Sequence, residues 1–509
     1  MKKEIIAVID IGSSAIRLLI AQGSGISDWE LMESAEQPLA VGRDVFRTGY
    51  IKKSTINRAV EILKSFKELI APFGNIRIAA IATSAVREAE NREIFIDRIL
   101  LQTGIEIRII DGIEANQFTW LAVRESLKNN IKDFSRQNIL IIEVGAGNTD
   151  VMLLKNGKVA GAFALPVGTL RFLQKLEGQK GSTPESIKDF FRKQTERTVG
   201  AISHELDLKN ISKLVAIGND ARLVAGSLGE KINSDLFVIP GNAFKSYINE
   251  LQFLSTEEMV AKLNIPFMEA DLIYPAMIIY DTFVRTSEAD EIYVSFSTIR
   301  HGLLINYAAS RSTLINIFRS QVISGAMNIA RNYKSDIDHA QFVRNESLKI
   351  YRELNKEFAL KGQHRLFLET AAILHDTGSF ISPLSHHKHS QYIVRNTDIF
   401  GLSSMDRKII GHIVRYHRKA LPQRSHSSYM SLSREQRIIV QQLSAILRTA
   451  DALDRSHTGK ITINKITISG GEFIMQTGYS GDISMEQMSL KEKGNLFENV
   501  FGLKPVLTV

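Results

Sequence analysis

Short apolar runs separated by glycine turns recur along the first three fifths of the chain. Residues 5–9 and 16–20 are apolar on either side of a turn that contains Gly12, which predicts two adjacent strands. Residues 57–73 have helical apolar spacing instead. Such alternation is typical of α/β layers. Further strands are predicted at residues 76–82, 106–110, 139–142, 151–154, 214–217 and 291–296.

The opening pattern returns further along the chain. Asp10 ends an apolar run and is followed by an aliphatic residue, glycine and small hydroxyl residues. Glu143, 133 residues later, is followed by Val144, Gly145 and small hydroxyl or amide residues. A single glycine turn is most often an ordinary hairpin turn. The same turn repeated at two places in the chain is less easily explained as two unrelated hairpins. We interpret the repeat as an internal duplication of two α/β domains that present their turns to a shared cleft.

Beyond residue 305 the apolar spacing becomes helical, and the last fifty residues mix strand-like and helix-like patterns. The chain is therefore predicted to contain two related α/β domains, a helical domain and a small C-terminal α/β domain, over residues 1–125, 126–305, 306–458 and 459–509. The predicted helices of the third domain cover residues 310–333, 340–358, 365–375, 404–418 and 434–451.

Length and composition narrow the possible chemistry. The 509 residues suffice for several domains, and the absence of cysteine excludes disulfides, thiolate metal sites and a cysteine nucleophile. Any metal must therefore bind to His, Asp, Glu or phosphate. The short apolar run near the N-terminus is too brief for a membrane span and lacks a signal-peptide pattern, so we expect a cytoplasmic protein without membrane partners.

Positive charge is concentrated in one quarter of the chain. Residues 331–457 hold 20 basic and 12 acidic residues, whereas the rest holds 43 of each, and the same window contains 10 of the 12 histidines. A local basic surplus indicates an anionic partner, although a solvated basic face would look the same. We expect Arg415, Arg418 and Lys419 to guide a polyanion.

The histidine-rich window also contains a possible metal site. His375 and Asp376 are adjacent at the end of an apolar helix, and His339 and Asp451 lie on separate predicted helices. Ligands from three helices can converge on one divalent ion. The alternative is that His375 is a satisfied core histidine. His387, His389, His412 and His417 are further candidates for ligand, phosphate or structural contacts.

Together these segments resemble the exopolyphosphatase and guanosine pentaphosphate phosphohydrolase family, a branch of the actin, sugar-kinase and heat-shock ATPase superfamily. The resemblance covers nearly the whole chain. It implies duplicated actin-like, ribonuclease H-like domains followed by an HD-like helical domain, and it suggests a homodimer. The segments that carry it are IDIGSSAIRL (9–18), ATSAVRE (82–88), residues 110–123, residues 141–153, LPVGTLR (165–171), AILHDTG (372–378), HHKHS (386–390), RYHRK (415–419) and ILRTADALDRS (446–456).

The resemblance also implies roles for single residues. Glu114 would activate water for attack on a terminal phosphoryl group, and Asp10 and Glu143 would bind Mg²⁺. Phosphoryl transfer needs mainly positioning and charge neutralisation, which agrees with these roles. The implied phosphate-binding residues are Gly12, Ser13, Ser14, Arg17, Arg87, Gly145, Gly147, Asn148 and Thr149.

The chain departs from the family pattern at both loops. The family usually has an acidic run where this chain has Ile113, Glu114 and Ala115. At the second loop, Glu143 and Ala146 replace aspartate and glycine. A longer metal ligand and an added Cβ beside the phosphate could both slow hydrolysis.

Several functions therefore stay open. The first is hydrolysis of polyphosphate or guanosine pentaphosphate. The second is binding or sensing of polyphosphate, or of guanosine tetra- and pentaphosphate, with weak turnover. The third is a metal-dependent nucleotide phosphohydrolase in the helical domain, where the ligand set is complete and would take a second divalent ion. We expect no specific nucleic-acid binding, and the altered glycine segment at residues 215–222 makes an ATP-dependent kinase less favoured.

Overall fold

The chain divides into two compact units, Met1–Leu314 and Ile315–Val509. The structure is a computed structural model that describes residues 3–25, 28–130, 136–177, 184–203, 206–233, 235–358 and 360–509. Among these described residues, no helix is both long and apolar enough to cross a membrane.

The first unit begins with a five-stranded sheet in the order β3-β2-β1-β4-β5. Strand β1 pairs with β2 in antiparallel and with β4 in parallel orientation, and its residues from Ile6 onward are buried. The strands are β1 (Glu4–Ile11), β2 (Ala15–Ser24), β3 (Asp28–Pro38), β4 (Arg77–Ala82) and β5 (Ile107–Ile109). The helices of this half are α1 (Val41–Thr48), α2 (Lys53–Ile70), α3 (Ser84–Glu88), α4 (Arg92–Thr103) and α5 (Gly112–Asn130).

The second sheet has seven strands in the order β10-β11-β12-β9-β6-β7-β8. Its strands are β6 (Asn138–Val144), β7 (Thr149–Lys155), β8 (Lys158–Leu165), β9 (Lys213–Ile217), β10 (Glu230–Asn233), β11 (Leu236–Pro240) and β12 (Glu291–Ser295). The accompanying helices are α6 (Thr169–Glu177), α7 (Pro184–Ser203), α8 (Asn219–Leu228), α9 (Gly241–Leu251), α10 (Thr256–Leu263), α11 (Phe267–Ser287) and α12 (Ile299–Ala308).

The two sheets repeat one topology. Strands β8, β7, β6, β9 and β12 follow the same order as β3, β2, β1, β4 and β5, with two antiparallel pairings on one side of the central strand and parallel pairings on the other. Strands β10 and β11 extend the second sheet in antiparallel orientation. The duplication predicted from the repeated turns is thus present in the strand order.

The second unit combines helices with a three-stranded sheet. Its helices are α13 (Arg311–Asn332), within which the two units divide, α14 (Ile337–Phe358), α15 (Gly362–Leu374), α16 (His386–Asn396), α17 (Ser404–Arg415), α18 (Ser427–Met430), α19 (Arg434–Ala452), α20 (Ser484–Lys493) and α21 (Asn495–Phe501). The strands are β13 (Ile463–Ser469), β14 (Glu472–Thr477) and β15 (Lys504–Thr508). The sequence did not predict α16, whose four initial residues are polar.

The domain boundaries differ from those predicted. The boundary after residue 125 falls inside α5, and the boundary after residue 305 falls inside α12. The boundary after residue 458 does not separate two cores, because Phe473 and Phe497 belong to the same buried cluster as Leu443 of α19. A three-stranded sheet buries too little apolar surface alone, so it packs against the helices.

Candidate functional site

The two glycine turns line one cavity of about 580 Å³ in the first unit. Most residues that the sequence assigned to phosphate or magnesium binding are brought together there. The cavity is lined by the predicted residues Asp10, Gly12, Ser13, Ser14, Arg17, Arg87, Glu143, Gly145, Gly147 and Asn148.

Both turns are closed by the same hydrogen bond. The N–H of Gly12 donates to the carbonyl of Ala15 at 3.0 Å, and the N–H of Gly145 donates to the carbonyl of Asn148 at 2.8 Å. The turns differ at Gly147, where an added Cβ would lie 2.6 Å from Phe46 Cζ and 2.9 Å from Ser84 Oγ. Glycine is therefore needed at position 147 for close packing in this loop.

The residues opposite the two carboxylates differ in charge. Asp10 of β1 is paired across the strands with Arg17 of β2, whereas Glu143 of β6 is paired with Asp150 of β7. Arg17 also forms an ion pair with Glu36 at 2.8 Å. The second turn thus places two carboxylates side by side in the cavity lining.

Burial shifts the acidity of these groups. Burial raises the pKa of Asp10, although the positive charge of Arg17 partly offsets this increase. Burial also raises the pKa of Glu143. Burial and the neighbouring Glu143 raise the pKa of Asp150 to about 8. Burial, reinforced by Glu269, raises the pKa of Asp220 to about 7. A cation in the cavity would return these groups to their ionised forms.

Unpartnered polar atoms mark where ligands would fit. Oδ1 of Asp10 and Oδ1 of Asp150 are buried without a hydrogen-bond partner, while Glu143 accepts a hydrogen bond from Thr119 at 3.0 Å. Buried carboxylate oxygens without partners are costly and are suited to a hard divalent cation such as Mg²⁺. The donor set of the cavity therefore fits the metal that the sequence predicted.

The cavity also contains cations that the sequence analysis did not assign. Arg43, Arg222 and Arg300 line it together with Arg17 and Arg87. The Arg222 Nη1 and Arg300 Nε atoms are buried without a partner. Guanidinium groups with unused N–H donors are suited to phosphate oxygens. Arg222 ends the loosened glycine segment, but no local pattern indicated Arg300.

The predicted base Glu114 does not line the cavity. Its carboxylate forms an ion pair with Arg108, and its N–H donates to Asp111 Oδ1 at 2.8 Å. The residues of α5 that line the cavity include Ala115 and Thr119. The start of the helix was predicted correctly, but neighbouring helical residues point about 100° apart, so the adjacent position faces the cleft.

Thr149 is also placed differently from the prediction. It is fully buried, it is not among the cavity-lining residues, and its hydroxyl donates to the carbonyl of Val167 at 2.6 Å. Side chains alternate between the faces of a strand, and Thr149 is the first residue of β7. Its hydroxyl thus satisfies a buried carbonyl group instead of a phosphate.

Arg171 connects the two halves of the first unit. Its Nε donates to the carbonyl of Gly147 at 2.8 Å and its Nη2 to Glu88 Oε1 at 2.7 Å, and its guanidinium lies 4.2 Å from the ring centroid of Phe46. Arg171 lies on α6, which follows β8 of the second sheet. Glu88 ends α3, which follows β4 of the first sheet, so the side chain of Arg171 bridges the two halves.

The four predicted metal ligands of the second unit converge. His375 Nε2 lies 3.3 Å from His339 Nε2, 3.7 Å from Asp376 Oδ1 and 3.8 Å from Asp451 Oδ1. The three residues His339, His375 and Asp376 have the geometry of a possible metal site. His375 is fully buried, as a core histidine would be, but its Nε2 faces other ligand atoms instead of apolar side chains.

The charges around this cluster favour a cation. Asp451 forms an ion pair with Lys493, and Asp454 Oδ2 accepts a hydrogen bond from His339 Nδ1 at 2.8 Å. Burial would lower the pKa of His339, but Asp451 and Asp454 outweigh it and raise the pKa to about 9. The site therefore attracts positive charge, which a metal ion can supply in place of a proton.

The three residues predicted to guide a polyanion lie at the end of α17 and just after it, on either side of His417. Arg415 and Arg418 are half-buried, and Lys419 is exposed. They flank the histidine cluster, and their role in guiding a polyanion stays a prediction.

Comparison with known proteins identifies the family. The family described as "Ppx/GppA phosphatase family" matches residues 20–311, and "Ppx/GppA phosphatase, domain III" matches residues 323–493. A protein from Pseudoalteromonas translucida named guanosine-5'-triphosphate,3'-diphosphate pyrophosphatase is 22% identical over 88% of this chain and 87% of its own length.

Two solved structures have a similar fold. A Ppx/GppA family member from Aquifex aeolicus is 23% identical, with a TM-score of 0.50 over 60% of this chain and 98% of its own. An exopolyphosphatase from Cytophaga hutchinsonii is 18% identical, with a TM-score of 0.53 over the same shares. Because the family match spans more than half of the sequence and includes the second glycine turn, the protein belongs to the Ppx/GppA phosphatase family.

Proposed function

We propose that the cleft of the first unit hydrolyses terminal phosphoanhydride bonds, with inorganic polyphosphate or guanosine pentaphosphate as substrate. The observation that carries this proposal is the meeting of two phosphate-type turns, buried carboxylates and five arginines in a single cavity. Relatives named for pyrophosphatase and exopolyphosphatase activities support the same class of reaction.

The cationic and the anionic residues of the cavity have different roles in this reaction. Arg222 and Arg300 have unused N–H donors for phosphate oxygens, and backbone amides of the turns can approach the same group. Asp10 and Glu143 would hold Mg²⁺, which neutralises phosphate charge when it is bound. The oxygen of a water molecule then bonds to the terminal phosphorus, the anhydride P–O bond breaks, and the departing oxygen's charge is stabilised by the arginines.

We propose that Asp150, rather than Glu114, is the general base that accepts the proton of the attacking water. Asp150 lines the cavity and its Oδ1 has no hydrogen-bond partner, whereas Glu114 is outside the lining and paired with Arg108. A cation bound in the cavity would keep Asp150 ionised, so that its carboxylate can accept the proton.

Phosphate release from both substrates, measured side by side with Mg²⁺, tests this assignment. We expect turnover by the wild type and a loss of about 100-fold or more in kcat for Asp150→Asn, because general bases typically contribute that much. The matched control Glu114→Gln should stay within about threefold of the wild type. A large loss in Glu114→Gln alone would return the base role to Glu114.

A second candidate function is binding of the same phosphate chains with little turnover. The observation that favours it is Ala115, which lines the cavity on the helix where the family usually carries an acidic run. A methyl group there cannot accept a proton, so the cavity has no carboxylate from α5 among its lining residues. The Ala115→Glu substitution separates the two functions.

If the natural protein mainly binds its ligand, Ala115→Glu should raise phosphate release by at least tenfold while binding affinity changes little. If Asp150 already serves as the base, the added carboxylate should give no gain in phosphate release. Calorimetric binding of a non-hydrolysable polyphosphate analogue supplies the affinity in both cases.

A further inference from the structure

The metal cluster of the second unit extends beyond the four residues that the sequence predicted. His386, at the start of α16, places Nε2 3.2 Å from Asp376 Oδ1. His417, just after α17, places Nε2 3.6 Å from the same oxygen and 3.2 Å from His386 Nε2. Asp376, His386 and His417 therefore form a second group with the geometry of a metal site, and Asp376 belongs to both groups.

The hydrogen bonds of these histidines fix which nitrogen carries the proton. Nδ1 of His386 contacts the carbonyl oxygen of Pro383 at 3.1 Å, and Nδ1 of His417 contacts that of Val414 at 2.6 Å. Nδ1 of His375 contacts the carbonyl of Ala372 at 2.8 Å. A carbonyl only accepts, so each Nδ1 must donate, and a neutral ring then has a bare lone pair on Nε2.

Bare lone pairs that converge need a cation between them. His386 Nε2 and His417 Nε2 are 3.2 Å apart and point at a carboxylate oxygen, which also has no proton to donate. Such a contact repels unless a positive ion occupies the centre. Backbone carbonyls that orient ligand histidines are the usual outer partners in metal sites.

The separations between ligand atoms agree with this explanation. Metal–nitrogen bonds of about 2.0–2.1 Å in a tetrahedral site put neighbouring ligand atoms about 3.3–3.4 Å apart. The measured separations run from 3.2 Å between His386 and His417 to 3.8 Å between His375 and Asp451. Both groups have these spacings, so neither one alone accounts for the cluster.

We propose that the second unit holds two divalent transition-metal ions bridged by the carboxylate of Asp376. One ion is bound by His339, His375 and Asp451, and the other by His386 and His417. Imidazole-rich sites of this kind suit zinc, iron, cobalt or nickel more than magnesium. This centre does not depend on the activity proposed for the cleft.

The charge of the centre identifies its ligand class. Two divalent ions bring four positive charges, and the ligands supply only the carboxylates of Asp376 and Asp451, the latter already paired with Lys493. The Asp376 side chain is 25% exposed, which leaves the centre open on that side. Arg418, which is half-buried, and Lys419, which is exposed, follow His417 directly in the chain. An oxyanion of the phosphate class is the complementary ligand.

Metal analysis of the full-length protein, stripped of metal with chelator and then dialysed with Co²⁺ in the presence of excess Mg²⁺ to fill the cleft of the first unit, tests the proposal. We expect two cobalt ions per chain and a visible absorption spectrum that changes when inorganic phosphate is added. His386→Asn should lose one ion, and Asp376→Asn should lose both. A double Asp10→Asn, Glu143→Gln variant should still bind two, which assigns the ions to the second unit.

His389→Asn, on the same helix as His386 but outside both groups, is the matched control and should keep both ions. Titration of the wild type by its cobalt absorption gives the stoichiometry independently of whether a variant folds. A wild type that saturates at one ion or none, or an unchanged content in folded His386→Asn, would overturn the two-ion centre. The absence of any spectral change with millimolar phosphate would overturn the ligand assignment.

Discussion

The turn after β1 and the turn after β6 are closed by equivalent hydrogen bonds, yet each sets a side chain of a different charge opposite its carboxylate. Asp10 faces Arg17, and Glu143 faces Asp150. The first turn is therefore close to neutral on its own, whereas the second needs an added cation or proton. The backbone of a duplicated domain can thus be kept while one strand position changes the charge that faces the carboxylate of each turn.

The largest expected effect concerns the stability of the metal-free protein. The raised pKa of Asp150, about 8, means that the folded state keeps a proton that the unfolded state releases near pH 4. The stability from this group is present below pH 4 and is lost as the pH rises to 8. Asp150→Asn should therefore stabilise the protein at pH 7 by on the order of 4 kcal/mol.

Urea unfolding between pH 5 and pH 8, with chelator present, measures this effect. Asp10→Asn is the matched substitution in the first turn and should gain less, because Arg17 and Arg300 already offset part of the burial of Asp10. Equal gains in the two variants would contradict the charge difference between the turns.

Magnesium binding should also depend on the acidity of the second turn, because it is linked to the release of a proton from Asp150. A divalent cation beside Asp150 favours its ionised form, so binding displaces a proton below pH 8. We expect the Mg²⁺ affinity to fall about tenfold per pH unit, or about 100-fold from pH 8 to pH 6. Calorimetry in two buffers of different ionisation enthalpy counts the protons, and Asp150→Asn should release fewer than the wild type.

The packing of the two turns gives a smaller effect. Gly147→Ala places a Cβ against Phe46 and Ser84, so we expect a loss of about 1–3 kcal/mol in the free energy of unfolding. Gly12→Ala in the first turn meets only Arg17 Nη1 at 3.3 Å and the Ala15 carbonyl oxygen at 3.4 Å, and it should cost clearly less. Chemical denaturation of both variants makes the comparison. A costlier Gly12→Ala would show that the first turn is the tighter one.

The smallest effect is expected at Thr149. Thr149→Val leaves the carbonyl of Val167 without its donor and should cost about 1–2 kcal/mol, with KM unchanged because the hydroxyl does not face the cavity. Ser13→Ala, whose hydroxyl does line the cavity, is the contrasting variant. A raised KM in Thr149→Val would support the phosphate-binding role that the sequence analysis assigned to it.

Local patterns predicted the two turns because a carboxylate, a glycine and small polar residues recur at a fixed distance in the sequence. They also predicted the start of α5, but not the face that residue 114 presents, since a helix turns by about 100° per residue. Arg300 was missed because it reaches the cavity from a helix that begins almost 300 residues after the first turn. Whether a polar side chain binds a ligand or forms a hydrogen bond with a backbone carbonyl depends on such distant neighbours.

Arg171 has a kinetic consequence. It is held by the carbonyl of Gly147 in its own half and binds Glu88 of the other half, so the two halves cannot move apart without breaking the contact with Glu88. Charge-assisted hydrogen bonds to partly exposed groups weaken in salt, so the frequency of opening should increase with ionic strength. If a product is held between the halves, it should therefore leave faster at higher ionic strength. The lifetime of one arginine contact would then set the pace of release, even in a cleft whose chemistry is fast.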